Sequence, residues 1–302
     1  MNRVFPPASI VVGVDGSKAA VRAAIWAVDE AVSRDIPLRL VHVIAPVANA
    51  RNHPGRMDRD YARAEHVAHA AWTAVEATGK PVKIEMEILR GEPASMLAHA
   101  SRSAAMACVG WTGRSRSVEL GSTASALARS AHCPVAVVRL RARASLGGQW
   151  IIARVDGSPS SDAVLHQAVE EARLRRAPLL ALTTGLEDDE AVDSASAVRT
   201  RLDRHLAEVS ADATDVSVCS LQIGDGVLEY LANNVGLAQL VVIGADNPRV
   251  VTELTGPHAD SVLHHTACSV MCVRGRRSSE PGGSSGSAGN RRNSTSSEEA
   301  CP

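Results

Sequence analysis

The chain has 302 residues, of which 45% are apolar, and carries a formal net charge of −1. This length is sufficient for two domains of ordinary size. The near-zero charge gives no support for a nucleic-acid partner or for electrostatic attachment to a membrane. No apolar run approaches the roughly 20 residues that span a bilayer. We therefore expect neither nucleic acid nor membrane as a partner.

The N-terminus and the cysteines indicate the compartment. The stretch "MNRVFPPASIVVGVDGS" has no secretory h-region, because its apolar run leads into a turn. Five of the six cysteines fall in or beside apolar, strand-like runs: Cys108, Cys133, Cys219, Cys268 and Cys272. Such cysteines usually behave as small buried hydrophobes. We therefore expect a cytoplasmic protein with reduced cysteines.

Strands and helices alternate along the first half. Apolar runs predict strands at 9–17 (ending in a turn), 37–44, 82–89, 104–109 and 134–140. Helical spacing predicts helices between them, at 18–34, at 56–78, after Gly91 and Pro93, and over "ASALARSA". This alternation predicts an α/β fold with a parallel sheet and helices on both faces.

The chain then repeats itself. Three segments of the second half correspond to segments of the first. Asp156-Gly157-Ser158 corresponds to Asp15-Gly16-Ser17, "QLVVIGAD" to "AAMACVGW", and "HTACSVMCVR" to "SAHCPVAVVR". A period of about 140 residues is too long for a solenoid and fits a duplicated domain. We predict domains at 1–140 and 150–274, a linker at 141–149, and a disordered tail at 275–302, because the tail is rich in Ser, Gly, Arg and Glu.

The stretch "GWTGRSRSVELGST" (110–123) lies between a predicted strand and a predicted helix. Glycines allow close backbone approach, and a helix N-terminus favours an anion. The residues that would hold phosphate are Gly110, Gly113, Arg114, Gly121 and Ser122. An ordinary strand-to-helix loop has the same composition, so spacing alone leaves both interpretations open.

Several motifs together resemble a known family. "VVGVDGS", "LVHVI", the loop ending in "GST", and "SAHCPVAVVR" resemble a tandem universal stress protein of the actinobacterial type. The resemblance covers residues 8–274. It implies two tandem Rossmann-like domains of the adenine-nucleotide alpha-hydrolase type, each with a five-stranded parallel sheet flanked by helices. ATP-binding members of the family carry Gly-x2-Gly-x9-Gly-Ser/Thr after the fourth strand.

The resemblance also implies the ligand and its residues. Asp15 would bind the adenosine, Gly13 would let the ligand lie on the strand end, and Val43 would contact the adenine. The triphosphate of ATP, with or without Mg²⁺, would lie along Gly110, Gly113, Arg114, Gly121, Ser122 and Thr123. Only seven residues separate Gly113 from Gly121 here, where the family motif has nine.

The second half departs further from the motif. Arg154 stands where the first half has Gly13, Asn247 replaces Gly113, and Pro257 replaces Ser122. Proline lacks the N–H that an anion needs. Asp156 survives, but Asp-Gly is also a common turn. We therefore expect a degenerate second site and about one ATP per chain.

Other polar and aromatic residues have structural explanations. Asp29, Glu30, Glu170 and Glu171 fit solvated helix-face charges. Trp26 and Trp72 fit the core, and Trp111 could either flank a ligand or pack in its loop. The histidines and cysteines of 257–272 fit a structural role better than a metal site. We find no Walker loop and no set of catalytic side chains, so we expect a protein without enzymatic activity.

Three functional hypotheses and one assembly follow; one of the three is a slow ATP hydrolase, for which no residue of the sequence is a positioned base. The first hypothesis is an ATP-binding sensor or regulator in stress adaptation, which passes its state to unidentified protein partners. The alternative is a nucleotide-independent interaction module with vestigial loops. The apolar last strands, 134–140 and 269–274, need pairing because bare edges aggregate. The resemblance favours antiparallel pairing of these two strands within the chain, with a homodimer as the alternative.

Overall fold

The computed structural model describes residues 8–46, 56–112, 122–139, 149–183, 200, 204, 207–208, 214–224, 226–234, 236–255 and 268–275. In the first half the helices and strands are β1 Ser9–Gly13, α1 Lys18–Ser33, β2 Leu38–Ile44, α2 Arg56–Glu76, β3 Ile84–Arg90, α3 Pro93–Ala100, β4 Ala104–Gly110, α4 Ser122–Ser130 and β5 Val135–Val138. These elements follow the predicted order.

The second half repeats the strands in the same order. Its elements are β6 Trp150–Val155, α5 Ser161–Arg175, β7 Leu179–Thr183, β8 Val218–Gln222, α6 Val227–Asn233, β9 Ala238–Gly244, α7 Pro248–Thr255 and β10 Ser269–Val273. The predicted linker lies outside the described residues except for Gln149, and the predicted tail except for Gly275. The division into domains at those positions stays a prediction.

All ten described strands form one sheet, in the order β3-β2-β1-β4-β5-β10-β9-β6-β7-β8. Within each half every pair of neighbouring strands is parallel. The predicted five-stranded parallel sheets are therefore confirmed. The two halves are arranged symmetrically, because the order of equivalent strands reads the same from both ends.

Local signals in the sequence begin the helices. Ser17 caps α1 by accepting a hydrogen bond from the backbone N–H of Ala20 at 3.1 Å. Glu92 caps α3 through the N–H groups of Ala94 and Ser95, and Pro93 occupies the first helical position. The hydrogen bond from the Ser95 N–H, followed by that from Ala94, lowers the pKa of Glu92. These caps explain why two of the helices begin where the sequence predicts.

The sheet has an apolar layer on each face. On one face Ile10, Val12, Leu38 and Leu40 pack beneath α1 and α2, and the equivalent strand residues of the second half pack beneath α5. On the other face the core joins residues of α3, α4, α6 and α7 to the alternate residues of the same strands. Small residues dominate α1, where Ala20, Ala23, Ala24, Ala27 and Ala31 are buried. They allow the helix to lie close to the sheet.

The centre of the sheet is the joint between the halves. β5 and β10 pair antiparallel, with Val137 opposite Val270 and Ala136 opposite Met271. All four side chains are fully buried. The predicted pairing of the two last strands within one chain is confirmed, and it leaves β3 and β8 at the outer edges.

Two expectations about single residues are wrong. Glu30 and Glu171 are completely buried rather than solvated, whereas Asp29 and Glu170 lie at the surface as predicted. Cys219 is exposed on the edge strand β8, whereas the other four described cysteines are buried. Both differences depend on which element packs against which, and the sequence period does not specify that.

Within the described residues, no helix is both long enough and apolar enough to cross a membrane. α2, the longest of these helices at 21 residues, has charged side chains along much of its length.

The joint between β5 and β10 predicts a severe effect of charge. Val137→Glu or Val138→Glu would place a carboxylate among fully buried apolar side chains, and we expect a loss of about 3–5 kcal/mol of stability together with aggregation. Met86→Glu, on the outer strand β3 where the side chain is 44% exposed, is the matched control and should change stability by no more than about 0.5 kcal/mol. Urea unfolding and size-exclusion chromatography measure both effects. Equal stability of the joint variants and Met86→Glu would contradict the pairing.

Candidate functional site

The carboxyl ends of β1, β2 and β4 lie side by side in the first half. β1 has β2 on one side and β4 on the other, so the chain reverses its direction of winding at β1. In open α/β sheets, ligands bind outside the carboxyl ends of the strands at such a switch point. Asp15 and Thr112 follow β1 and β4, respectively, at this place.

Asp15 is fixed in a tight turn. Its carboxylate accepts a hydrogen bond from the backbone N–H of Ser17 at 2.9 Å, and Gly16 adopts a φ of +85° that other residues rarely reach. The Ser17 hydroxyl lies 3.5 Å from the carbonyl oxygen of Thr112. The turn therefore places Asp15, the residue predicted to bind adenosine, close to the start of the glycine-rich loop.

Close packing explains why Gly13 and Gly110 are glycines, because neighbouring atoms leave little room for a Cβ. A Cβ on Gly13 would lie 2.9 Å from Cδ1 of Leu97, and a Cβ on Gly110 would lie 2.6 Å from the carbonyl carbon of Ala19. The first contact is with the end of a flexible side chain, and the second is with the backbone of α1. The close approach of α3 and α1 therefore accounts for both glycines without a ligand, and their predicted role in nucleotide binding stays a prediction.

β2 contributes two residues to this edge. Val43 lies at its carboxyl end, half-buried, and packs against the core on the α3 and α4 side. The ring of His42 on the opposite side of the strand donates a hydrogen bond from Nδ1 to the carbonyl oxygen of Val14 at 2.7 Å. Sequence reasoning missed His42. Its signal is a polar residue at a strand position that shares its face with the buried Leu38 and Leu40.

Trp111 packs in the core rather than lining an open cleft. Its side chain is 3% exposed, and the guanidinium carbon of Arg139 lies 3.7 Å from the centre of its ring. A cation over the face of a buried indole is attracted by the ring quadrupole. Of the two interpretations given for Trp111, the structure supports loop packing.

The remaining predicted site residues follow β4. Gly113, Arg114 and Gly121 lie outside the described residues. α4 begins at Ser122, and Thr123 is half-buried in its first turn. The N-terminus of a helix thus lies at the end of the predicted phosphate loop, and helix N-termini favour anions.

The equivalent cleft of the second half contains an ion pair. Nη1 of Arg154 lies 2.5 Å from Oδ2 of Asp156, and Oδ1 of Asp156 accepts hydrogen bonds from the Ser158 N–H at 3.0 Å and the Ser161 hydroxyl at 3.3 Å. Burial by itself would raise the pKa of Asp156, but the bonds from Ser158 and Arg154 outweigh it and lower the pKa. Asp156 is thus committed to contacts within the protein.

A helix stands where the second half would carry its glycine loop. α7 begins at Pro248, and the side-chain oxygen of Asn247 accepts from the N–H groups of Arg249 and Val250 at 3.1 and 3.4 Å. Val250, Val251 and Leu254 are buried in the core that α7 shares with α4. Two N–H groups at the start of α7 are therefore already capped by the protein itself.

Comparison with known proteins identifies the family. The profile of the Universal stress protein family matches residues 8–139 and again 150–274. The chain belongs to the universal stress protein family. Universal stress protein Rv2028c of Mycobacterium tuberculosis is 42% identical over 277 residues, which cover 90% of this chain and 98% of the relative. Universal stress protein Rv2624c of the same organism is 43% identical over 269 residues, covering 88% and 96%.

A solved structure agrees with the fold of this universal stress protein. The crystal structure of a universal stress protein from Archaeoglobus fulgidus matches with a TM-score of 0.66 at 17% identity, covering 89% of this chain and 97% of that chain. At this identity the likeness shows the fold alone. The tandem family membership predicted from the sequence motifs is confirmed by the two profile matches.

The four buried thiols of this universal stress protein are poorly suited to reaction. Burial raises the pKa of Cys133, Cys268 and Cys272 to about 12, and burial followed by the charge of Glu30 raises the pKa of Cys108 well above its ordinary value. Thiols of this kind stay protonated and unreactive at neutral pH. Among the described residues, no group of three or more His, Cys, Asp and Glu side chains is placed to hold a metal ion.

The two glycines of the first cleft predict different costs of adding a methyl group. Gly110→Ala would push against the backbone of α1 and should destabilise the protein by about 2–3 kcal/mol. Gly13→Ala meets the side chains of Leu97 at 2.9 Å and Val109 at 3.2 Å but no backbone, and because Leu97 can change rotamer it should cost about 1 kcal/mol. Urea unfolding of the two variants beside the unmodified protein measures the difference. Equal costs would show that the approach of Ala19 does not constrain Gly110.

Proposed function

We propose that the first half of this universal stress protein binds an adenine nucleotide, ATP, and that the chain acts as a nucleotide-dependent sensor or regulator in stress adaptation. The observation that carries the proposal is the turn of Asp15 beside the end of β4, where the Ser17 hydroxyl lies 3.5 Å from the carbonyl oxygen of Thr112 at the switch point of the first sheet. The Asp15 carboxylate would match the ribose of a nucleotide, and the N-terminus of α4, which ends the predicted loop, would match its phosphates.

The proposal gives each predicted site residue a role. The Asp15 carboxylate would accept hydrogen bonds from ribose hydroxyls, and Val43 would pack against the adenine. Gly113, Gly121, Ser122 and Thr123 would supply donors to the phosphates, and Arg114 would add positive charge. A bound Mg²⁺ would neutralise phosphate charge when present. No residue of this set is a positioned general base, so the proposed role is binding and signalling rather than catalysis.

The contrast between the halves supports one site per chain. In the second half Arg154 is paired with the residue equivalent to Asp15, and α7 replaces the loop. In the first half the position of Arg154 is occupied by Gly13, which has no side chain to form such a pair. We propose that the second half has lost nucleotide binding and that α7 instead supports α4 from the other side of the joint.

The alternative function is a nucleotide-independent interaction module. The packing of Gly13 against Leu97 and of Gly110 against Ala19 favours it, because two of the motif glycines are explained without a ligand. Denaturing the purified protein and analysing the supernatant by absorbance and chromatography separates the two functions. Released adenine nucleotide supports the first function. Its absence, together with no heat on titration with ATP, supports the second.

Asp15 and Asp156 provide a matched pair of variants. Asp15→Asn keeps an acceptor for the Ser17 N–H but removes the charge, and we expect a loss of ATP affinity of about tenfold or more. Asp156→Asn should leave ATP affinity unchanged and lower stability by about 2 kcal/mol, because Arg154 loses its partner. Isothermal titration calorimetry should give about one ATP per chain in the unmodified protein. Two ATP per chain, or equal effects of both variants on affinity, would contradict the single site.

The glycine loop is tested separately from the packing glycines. Gly121→Val should abolish measurable ATP binding with the circular dichroism spectrum preserved, because a branched side chain would intrude on the phosphates. Gly256→Val is the equivalent change in the second half and should leave ATP binding intact. Gly113→Ala should weaken binding in the same direction as Gly121→Val. Full affinity in the folded Gly121→Val variant would show that the loop does not hold phosphate.

A further inference from the structure

Arg139 and Trp111 form a stacked pair at the carboxyl ends of β4 and β5. These strands are parallel neighbours with Gly110 opposite Val138, so Trp111 and Arg139 come directly after paired positions. The backbone N–H of Trp111 donates to the carbonyl oxygen of Val138 at 3.0 Å. The guanidinium carbon of Arg139 lies 3.7 Å from the centre of the indole ring. We refer to Arg139 and Trp111 as the stacked pair.

The stacked pair holds the indole between a cation and the core. Trp111 is 3% exposed and belongs to the apolar layer on the α3 and α4 side of the sheet, whereas Arg139 is half-buried. A planar guanidinium can lie on an indole face, where the ring quadrupole attracts its charge. The contact therefore restricts the indole, and with it the direction in which the chain leaves β4.

The second half of the chain anchors Arg139. Its backbone N–H donates to the hydroxyl oxygen of Ser269 at 3.1 Å. Ser269 is the first residue of β10 and is 1% exposed. Because β10 runs antiparallel to β5, its first residue lies beside the end of β5, where the chain leaves the sheet. The stacked pair is therefore tied to the second half across the joint.

The stacked pair leads directly into the proposed nucleotide site. Thr112 follows Trp111, and its carbonyl oxygen lies 3.5 Å from the hydroxyl of Ser17. The N–H of Ser17 in turn donates to the Asp15 carboxylate at 2.9 Å. The direction of the chain after Trp111 thus determines where Thr112 meets the Asp15 turn and where the predicted phosphate loop begins.

The second half keeps the backbone of this arrangement without the stack. Ala245 occupies the tryptophan position, and its N–H donates to the carbonyl oxygen of Val273 at 2.7 Å. Arg274 occupies the arginine position, but its Nη2 contacts the carbonyl oxygen of Arg129 in α4. The ends of two parallel strands are therefore formed without a cation on an indole. The fold alone does not account for the stack in the first half.

The hydroxyl that anchors Arg139 is also supplied by one half only. The position of Ser269 is occupied in the first half by Pro134, whose side chain has no oxygen to accept a hydrogen bond. The second half therefore supports the end of β5 in a way that the first half cannot return to the end of β10.

We propose that Arg139 is a positioning residue of the nucleotide site: stacked on Trp111 and anchored to Ser269, it fixes the start of the glycine-rich loop. This inference rests on the proposed function of the first half. A loop whose first residues are already fixed loses less conformational freedom when it closes on a ligand, and this raises affinity. The pairing of the halves thus strengthens ATP binding in the first half.

Arg139→Ala tests the positioning role, with Arg274→Ala as the matched control in the second half. Loss of the stack should raise the dissociation constant of ATP about tenfold, as measured by isothermal titration calorimetry. Arg139→Lys keeps a cation near the ring and should retain most of the affinity. Arg274→Ala should bind ATP as tightly as the unmodified protein, because Ala245 provides no ring for it to hold.

The anchor has its own pair of variants. Ser269→Ala removes the acceptor of the Arg139 N–H and should raise the dissociation constant in the same direction as Arg139→Ala, but by less. Thr183→Ala removes a hydroxyl that bonds the carbonyl oxygen of Leu221 within the second half, and it should leave ATP affinity unchanged.

The number of binding sites separates positioning from loss of structure. A misplaced loop lowers affinity and leaves the number of sites per chain unchanged, whereas damaged protein lowers the number of sites. Urea unfolding establishes that each variant is folded under the conditions of the titration. A loss of sites in Arg139→Ala without a change in affinity would overturn the positioning role.

The near-ultraviolet circular dichroism of the indoles tests the stack without ATP. The difference between the unmodified protein and Trp111→Phe gives the contribution of Trp111. Arg139→Ala should remove most of this contribution, and Arg274→Ala should preserve it. An unchanged spectrum in Arg139→Ala would show that Arg139 does not hold the indole, and would overturn the inference.

The titrations distinguish failure of the inference from failure of the proposed function. Full affinity in Arg139→Ala, equal losses in Arg139→Ala and Arg274→Ala, or a lysine variant no better than the alanine variant would overturn the positioning role and leave the proposed function standing. Absence of ATP binding in the unmodified protein would instead overturn the proposed function, and the inference with it.

Discussion

The structure depends on the pairing of two apolar strands that neither half can leave exposed. β5 and β10 are buried on both faces, and their main-chain groups find partners only in each other along the shared edge. An unpaired edge of this composition would aggregate. Pairing equivalent strands antiparallel satisfies both edges at once and imposes the symmetric order of the whole sheet. It also determines which helices meet: α1 with α5 on one face, and α4 with α7 on the other.

Duplication has produced two units with one fold and different clefts. Both keep the Asp-Gly-Ser turn, in which the carboxylate accepts the N–H of the serine and the glycine has a positive φ. In the second unit Arg154 pairs with this aspartate. α7 follows β9 and packs against α4 of the first unit. These differences between the halves are the basis of the proposed division into a binding unit and a supporting unit.

A glycine in a family motif can be required by packing as well as by ligand binding. Gly110 is required by the backbone of α1, because an added Cβ would overlap Ala19. In the same motif, Gly113 and Gly121 are placed by resemblance and lie outside the described residues. A variant that loses both stability and nucleotide binding at Gly110 is therefore ambiguous. Asp15→Asn separates the two effects, because it removes a charge without enlarging the residue.

The sequence by itself determined the element order, the parallel sheets, the duplication, the family and the pairing of the last strands. Apolar periodicity, turn residues and repeated motifs are local signals. An exposed apolar edge strand can be covered in few ways, and pairing with another strand is one of them. Only the tertiary structure decided the burial of Glu30 and Glu171, the exposure of Cys219, the contact of His42 with Val14, and the formation of α7. Helical period marks Glu30 as a charge near the end of a helix but cannot show that a second helix covers it. Such contacts join residues more than 100 positions apart, as Glu30 and Arg175 show, and they exist only when the two halves are packed together.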